Sequence, residues 1–145
     1  MLNIEPIEKG TVIDHIKAGM GAKVLKIMGI GDDYQYRVAL VMHAPSKKMG
    51  EKDIVKIAER IITEKEANIV ALVSPGATIN IIKNSKVEKK YVVSLPEKLD
   101  GIGTCPNPNC ITNSEGDTKK TFIKENEDEY RCYYCERLFK AKELV

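Results

Sequence analysis

The chain has 145 residues and a formal net charge of +2. That length suits one ordinary domain, or a medium-sized domain followed by a small one. The near-neutral charge does not favour nucleic-acid binding, and no apolar run approaches the roughly 18 residues of a membrane span. Because no secretory signal peptide is recognisable, we expect a cytoplasmic protein with no membrane or nucleic-acid partner.

The N-terminal third predicts two strands separated by a helix. Residues 2–7 alternate between apolar and polar side chains, which is typical of a strand, and 11–15 continue in extended form. The next apolar residues recur at helical spacing, so a helix is predicted over 15–28, with Asp14 as its N-cap. Strict alternation over 34–42 then predicts a half-buried strand.

The next segment predicts a second helix and three further strands. A helix over 51–65 follows from the spacing of Ile54, Ile57, Ala58 and Ile61. A continuous apolar run predicts a central strand at 69–73, and alternation predicts strands at 78–83 and 87–93. Both helices can cover one face of a mainly antiparallel sheet, so the predicted fold class is α+β.

All four cysteines of the chain lie in its last third. They form two close pairs, Cys105-x4-Cys110 and Cys132-x2-Cys135, separated by 21 residues. Each pair can hold one ion from a tight turn, and the long loop lets the pairs meet, which predicts a closed structural zinc site. Short strands predicted near 119–123, 129–131 and 138–140 complete a small all-β, zinc ribbon-like domain.

Three alternatives to a structural zinc site follow from the same residues. Two disulfides would need an oxidising compartment, which the expected location does not provide. A nucleic-acid-binding zinc ribbon would need a basic surface, yet Glu125, Glu127, Asp128 and Glu129 are interleaved with the aromatic residues. A zinc enzyme would need an open coordination position, and four thiolates leave none.

Several polar residues outside the cysteine cluster have both a structural and a functional interpretation. Asp14 and His15 would be the cap and first turn of a helix, or a polar pair beside a ligand. Lys52 and Lys56, one helical turn apart, would form a solvated face or hold a phosphate group. Lys90, with its neighbouring lysines, would protect an edge strand. No constellation of nucleophile and base is recognisable, so we expect no catalysis.

Several motifs together resemble a known family. They are Gly10-Thr-Val-Ile-Asp-His-Ile16, Met49-Gly50 with Lys52-Asp53, Ala77-Thr-Ile-Asn80, Ser94-Leu-Pro-Glu97 and the Cys-Pro-Asn-x-Asn-Cys motif at 105–110. In order and spacing they are similar to the regulatory chain of aspartate carbamoyltransferase. The resemblance covers nearly the whole chain.

The resemblance implies a non-catalytic regulatory subunit. Such chains have an N-terminal nucleotide-binding allosteric domain, here expected over 1–97, and a zinc domain, here 98–145, that contacts the catalytic chain. They form homodimers that join catalytic trimers. CTP, ATP and in some members UTP act as effectors, not cofactors, and control pyrimidine biosynthesis. One structural zinc ion per chain is implied.

The resemblance also implies the residues of the nucleotide site. The first strand would bind the base, Asp14 and His15 would lie at the ribose, and lysines would hold the phosphates. The implied residues are Ile4, Glu5, Ile7, Asp14, His15, Lys52, Ile54, Lys56, Asn80, Ile82, Val87 and Lys90.

The zinc-bound loops would present a surface to the catalytic chain. The residues implied for this interface are Asn107, Asn109, Tyr134, Glu136 and Arg137.

The chain departs from the family pattern around the nucleotide site. Pro6 lacks an N–H donor in the base-binding strand, Ser85 stands where the best-known members carry a tyrosine, and Glu88 and Lys89 replace uncharged residues.

Overall fold

A computed structural model describes residues 7–116 and 118–145 of the chain. It divides into two compact units, with the boundary between Ser94 and Leu95. Each unit contains its own antiparallel sheet. Within the described residues, no helix is both long and apolar enough to cross a membrane.

The N-terminal unit is a five-stranded antiparallel sheet in the order β2-β3-β1-β4-β5 with two helices. The α+β class is therefore confirmed. The elements run in the order β1 (Gly10–Lys17), α1 (Gly21–Ile27), β2 (Val38–Ser46), β3 (Gly50–Ala58), α2 (Glu64–Val73), β4 (Thr78–Lys83) and β5 (Lys86–Val92).

The core of this unit lies between the helices and one face of the sheet. Val24 of α1 and Val70 of α2 are fully buried there, as are Ile13, Val55 and Ile79 of the three central strands. Burying such aliphatic side chains supplies about 1.5–3 kcal/mol each. Both helices therefore occupy the same side, and the opposite face of the sheet is left without a helix.

The helix predicted over 15–28 was wrong in its first half. Strand β1 continues through Asp14 and His15 to Lys17, and α1 begins at Gly21. The cause is a β-bulge between Ile13 and Ile16, where two residues of β1 oppose one residue of β3. The bulge turns both isoleucines to the core, so Ile16, which the predicted helix had included, belongs to the strand. Asp14 is therefore not a helix N-cap.

The helix predicted over 51–65 was also wrong, because residues 50–58 form strand β3. The buried side chains of β3 are Asp53, Val55 and Ile57, which alternate along the strand. The apolar residues Ile54, Ile57 and Ala58 fit helical spacing by coincidence. Lys52 and Lys56 still share one face, but through strand alternation, which puts their Cα atoms roughly 13 Å apart.

The strand predicted at 69–73 belongs to helix α2. Thr63 caps this helix: its hydroxyl accepts the Glu66 N–H at 3.1 Å, and the Glu66 carboxylate accepts the Thr63 N–H at 3.0 Å. Val70 and Ala71 are fully buried in the core of the unit. An apolar run can form either a buried helix or a strand, and here the capping box selects the helix.

The C-terminal unit is a small four-stranded antiparallel sheet in the order β6-β7-β8-β9. Its strands are β6 (Lys98–Asp100), β7 (Thr121–Lys124), β8 (Glu129–Cys132) and β9 (Leu138–Lys140). Phe122 and Tyr130 are fully buried, and Leu99 and Leu144 are each 1% exposed. So small a core gives limited stability without an additional crosslink.

Candidate functional site

The four cysteine side chains converge on one point in the C-terminal unit. Their sulfur atoms all lie within 4.8 Å of one another. The Sγ atoms of Cys105 and Cys135 are 3.6 Å apart, and those of Cys110 and Cys132 are 3.7 Å apart. A tetrahedral ion with 2.3 Å bonds to sulfur requires sulfur–sulfur edges of about 3.8 Å, whereas a disulfide requires about 2.05 Å. The donor set therefore fits a bound metal ion and not two disulfides.

Backbone and side-chain donors surround these sulfur atoms. The hydroxyl Oγ1 of Thr112 lies 3.1 Å from Cys110 Sγ, and the N–H groups of Tyr134 and Cys135 point at Cys132 Sγ. Burial raises the pKa of Cys105. For Cys110 burial acts in the same direction, but hydrogen bonds from Thr112 and from the Cys132 and Cys105 side chains together outweigh it and lower the pKa to about 7. A cation at the centre favours the thiolate form of all four.

The loop between the first two cysteines is held from within. Asn113 donates from Nδ2 to the carbonyl oxygens of Cys105, at 3.0 Å, and of Asn107, at 2.8 Å. Asn107 is buried, at 8% exposure, and its Oδ1 accepts the N–H of Asn109 at 3.1 Å. Asn107 therefore lies inside the metal-binding loop.

The other residues implied for a protein interface are exposed around the cysteine cluster. Asn109, Tyr134, Glu136 and Arg137 all lie on the surface. Tyr133 and Tyr134 pack edge to face, with ring centroids 5.2 Å apart. Their exposed fractions are 64% and 39%, so this aromatic pair presents apolar surface beside the metal loop.

In the N-terminal unit, several of the described residues implied for nucleotide binding lie on the sheet face that has no helix. Strand pairing places Lys56 of β3, Val12 of β1, Asn80 of β4 and Lys90 of β5 in one row across the sheet. Residues paired in this way point to the same side. At about 4.8 Å per strand, the two lysines lie roughly 14 Å apart at their Cα atoms, one on each side of the row.

A cavity of about 240 Å³ opens on this face at the same row. It includes five of the described residues that the resemblance implies, together with Val12 and Ser85. The lining is formed by Ile7, Val12, Lys56, Asn80, Ile82, Ser85 and Val87. Its apolar walls and single cation suit an organic ligand with a polar edge and an anionic part.

The side-chain amide of Asn80 is a polar group in the lining of this cavity. Its Nδ2 donates to the Val12 carbonyl oxygen at 3.3 Å. Asn80 and Val12 also oppose each other in the β1–β4 pairing. Asn80 lines the cavity, and its amide oxygen is a group that can accept a hydrogen bond.

Asp14, His15 and Lys52 form a polar cluster at the β1 bulge. The Nζ of Lys52 lies 2.9 Å from Asp14 Oδ1, and the His15 N–H donates to the same oxygen at 2.6 Å. Burial opposes ionisation of Asp14, but these two hydrogen bonds outweigh it and lower the pKa of Asp14. His15 has a positive φ of 56° and contacts Thr78, whose Oγ1 lies 3.3 Å from its Nδ1.

The sequence interpretation missed some residues of this face and named others outside the described part. Ile4 and Glu5 lie outside the residues that the structure describes. Ile54 lies on β3 between Lys52 and Lys56, opposite the bulge. Val12 and Thr78 join the site through cross-strand register, which only the pairing of β1 with β4 reveals.

Comparison with known proteins gives concordant matches over nearly the whole chain. The family model described as "Aspartate carbamoyltransferase regulatory chain, allosteric domain" matches residues 2–94, and that described as its "metal binding domain" matches residues 97–145. Proteins named "Aspartate carbamoyltransferase regulatory chain" are similar in sequence. That of Pyrococcus horikoshii is 48% identical over 99% of this chain and 96% of its own length, and that of Saccharolobus islandicus is 46% identical over 99% and 92%.

Proposed function

The chain belongs to the family of aspartate carbamoyltransferase regulatory chains, and from this premise we propose that it binds nucleotide effectors on its N-terminal sheet and passes their effect to catalytic chains. It is a regulatory chain with an allosteric and a metal-binding domain, not a catalytic chain. The proposed domain limits are 1–97 and 98–145.

The observation that carries nucleotide binding is the row Lys56–Val12–Asn80–Lys90 with its cavity. A base fits against the apolar wall formed with Ile82 and Val87, where Asn80 can recognise its polar edge. Lys56 and Lys90 then approach a triphosphate from opposite sides as point charges. The proposed ligands are CTP, ATP and UTP.

The polar cluster at the β1 bulge supports the proposed ribose position. Asp14 is ionised and partly exposed, so it can accept hydrogen bonds from sugar hydroxyl groups. Lys52 neutralises that carboxylate, which would otherwise repel a triphosphate nearby. His15 lies within the same cluster and Ile54 lies between the two lysines of β3.

For the metal centre we propose one structural zinc ion per chain. The soft sulfur donors and the tetrahedral sulfur spacing suit zinc better than the hard cations Mg²⁺ and Ca²⁺. When bound, the ion would crosslink the two halves of the small C-terminal unit. Cys105, Cys110, Cys132 and Cys135 would hold it, and no coordination position would remain for a substrate.

The proposed partners are catalytic trimers and a second regulatory chain. The exposed residues Asn109, Tyr134, Glu136 and Arg137 are the proposed contacts with the catalytic chain. Asn107 would support this surface from below, since it is buried in the metal loop. We assign no nucleic-acid partner, because acidic residues interrupt the basic positions of the zinc unit.

The decisive experiment measures aspartate saturation of the cognate catalytic trimer with and without the zinc-loaded chain, each with and without CTP. A change of the saturation curve by the chain, and a further shift by CTP, would support both proposed roles. Binding of the chain with no response to CTP would overturn the assignment of CTP to the proposed pocket. No effect of the chain at all would overturn the proposed partner.

A further inference from the structure

The turn that follows Cys110 contacts the metal-binding cluster without contributing a ligand. It is a 3-10 turn over Ile111–Asn113. Thr112 in its middle is buried, at 6% exposure, which is uncommon for a hydroxyl residue on so small a unit. Its Oγ1 lies 3.1 Å from the sulfur of Cys110, and its N–H points at the same sulfur.

The direction of the Thr112 hydrogen bond follows from the state of the sulfur. A metal-bound cysteine is a thiolate without a proton, so the threonine hydroxyl can only donate. A hydrogen bond to an ionised acceptor is stronger than one between neutral groups. It fixes the orientation of the sulfur lone pairs and withdraws charge from the metal–sulfur bond.

Asn113, the next residue, supports the other side of the cluster. Its side-chain amide bridges the carbonyl oxygens of Cys105 and Asn107. These two bonds close the loop that carries the first two cysteines. One short turn thus orients Cys110 directly and holds the backbone that carries Cys105.

We propose that Thr112 and Asn113 are positioning residues of the metal centre: Thr112 orients and polarises the Cys110 thiolate, and Asn113 holds the loop that carries Cys105. This inference rests on the proposed metal site. Residues of this kind typically contribute 10–100-fold to metal affinity. The expected effect is faster metal release and an altered electronic environment, with the four ligands unchanged.

The test of Thr112 uses an isosteric pair of variants in the full chain. Thr112→Val keeps the shape and removes the hydroxyl, whereas Thr112→Ser keeps the hydroxyl. Zinc content is measured first, then the rate of zinc transfer to a chromogenic chelator, and then the ¹¹³Cd resonance of the cadmium-loaded chain. We expect release about tenfold faster and a shifted cadmium resonance in Thr112→Val, with both readouts near wild type in Thr112→Ser.

The spectroscopic readout separates positioning from mere packing. A loss of packing would accelerate release but leave the cadmium resonance of the still-folded fraction unchanged. That result, or equal behaviour of the valine and serine variants, would overturn the role of Thr112. Failure of the wild-type chain to bind metal would overturn the metal site and this inference together.

Asn113 is tested by Asn113→Ala beside Ser114→Ala. Ser114 is the neighbouring exposed residue, and its hydroxyl donates within the turn to the Ile111 carbonyl oxygen at 3.3 Å. We expect faster zinc release in Asn113→Ala and faster amide exchange in 105–110, with Ser114→Ala unchanged. Equal release rates for Asn113→Ala and wild type would overturn its role.

Discussion

His15 and His43 occupy equivalent positions on the two sides of strand β3. Each has a positive φ, 56° for His15 and 57° for His43. Each lies in a β-bulge, His15 in the β1–β3 pairing and His43 in the β2–β3 pairing. The positive φ that both adopt is uncommon for residues other than glycine, although histidine, asparagine and aspartate adopt it more often than most. In each bulge the extra residue lies in the neighbouring strand, β1 or β2, so the neighbours are distorted and β3 is not.

The buried carboxylate of Asp53 binds backbone N–H groups of the β2 bulge and of the segment that leads into α1. Its Oδ1 accepts the His43 N–H at 3.0 Å, and its Oδ2 accepts the N–H groups of Gly19 at 3.0 Å and Gly21 at 2.8 Å. A Cβ atom on Gly21 would lie 2.5 Å from a methyl group of Leu40 and 3.0 Å from the carboxylate, so a side chain there would have to displace Leu40. Asp53 is fully buried, and its three hydrogen bonds from N–H groups offset the cost of burying a charged carboxylate.

Asp53→Asn should destabilise the N-terminal unit. The amide group that replaces one oxygen cannot accept a hydrogen bond, and it brings an N–H group against the backbone donors. We expect a loss of about 3 kcal/mol in the free energy of unfolding, measured by urea denaturation followed by circular dichroism. Glu51→Gln, an exposed change on the same strand, is the control. Equal stability of the two variants would refute the assigned role of Asp53.

Acid should remove the same stabilisation in the wild-type chain. Burial opposes ionisation of Asp53, but the three N–H donors outweigh it and hold its pKa below the ordinary 3.8. A depressed folded-state pKa means that the stability is present above pH 3.8 and is lost as pH falls through the folded-state pKa. The free energy of unfolding should decline more steeply below pH 4 in the wild type than in Asp53→Asn. Parallel pH profiles would contradict this prediction.

Lys90→Ala should weaken triphosphate binding by roughly ten- to a hundredfold and nucleoside binding far less. Removal of one charge-assisted contact costs about 1.5–3 kcal/mol, and a nucleoside lacks the group that Lys90 is proposed to contact. Calorimetric titration with CTP and cytidine measures the difference. Lys89→Ala is the matched control, since Lys89 is paired with Ile81 on the opposite face and lies over the Tyr91 ring. Equal weakening of both ligands would mean that Lys90 does not bind phosphate.

Cys110→Ser should abolish binding to the catalytic chain while nucleotide binding persists. Loss of one thiolate removes most of the metal affinity, and metal binding supplies about 10 kcal/mol or more in small zinc domains. Zinc content, nucleotide titration and co-migration with the catalytic trimer are measured on the same preparation. Ser114→Ala serves as the control. Loss of nucleotide binding in a chain whose N-terminal unit remains folded would contradict the division of roles between the two units.

The metal centre was predictable from the sequence because the number of residues between the four cysteines determines how they can meet. Two close cysteine pairs can meet around one ion with few alternatives, and the four sulfur atoms do meet. The strand at 138–140 was predicted with its observed bounds. Thr112 and Asn113 were not predictable as supports, since a hydroxyl or amide beside a cysteine has no spacing rule of its own.

The helices and strands of the N-terminal unit were less predictable, for two physical reasons. The β1 bulge places Ile13 and Ile16 on one face, which alternation alone does not anticipate. Strand β3 buries the charged Asp53 on the same face as Val55 and Ile57, so the apolar–polar alternation of the strand was hidden. The capping box of Thr63 and Glu66 was visible in the sequence, and it would have identified α2.

Lys52 and Asp53 are consecutive residues of β3 and point to opposite faces of the sheet. On one face Lys52 binds Asp14 beside the proposed ligand, and on the other Asp53 holds strand β2 and the start of α1. A single peptide unit therefore joins the residue that binds Asp14 on one face to the residue that anchors the edge strand β2 on the other.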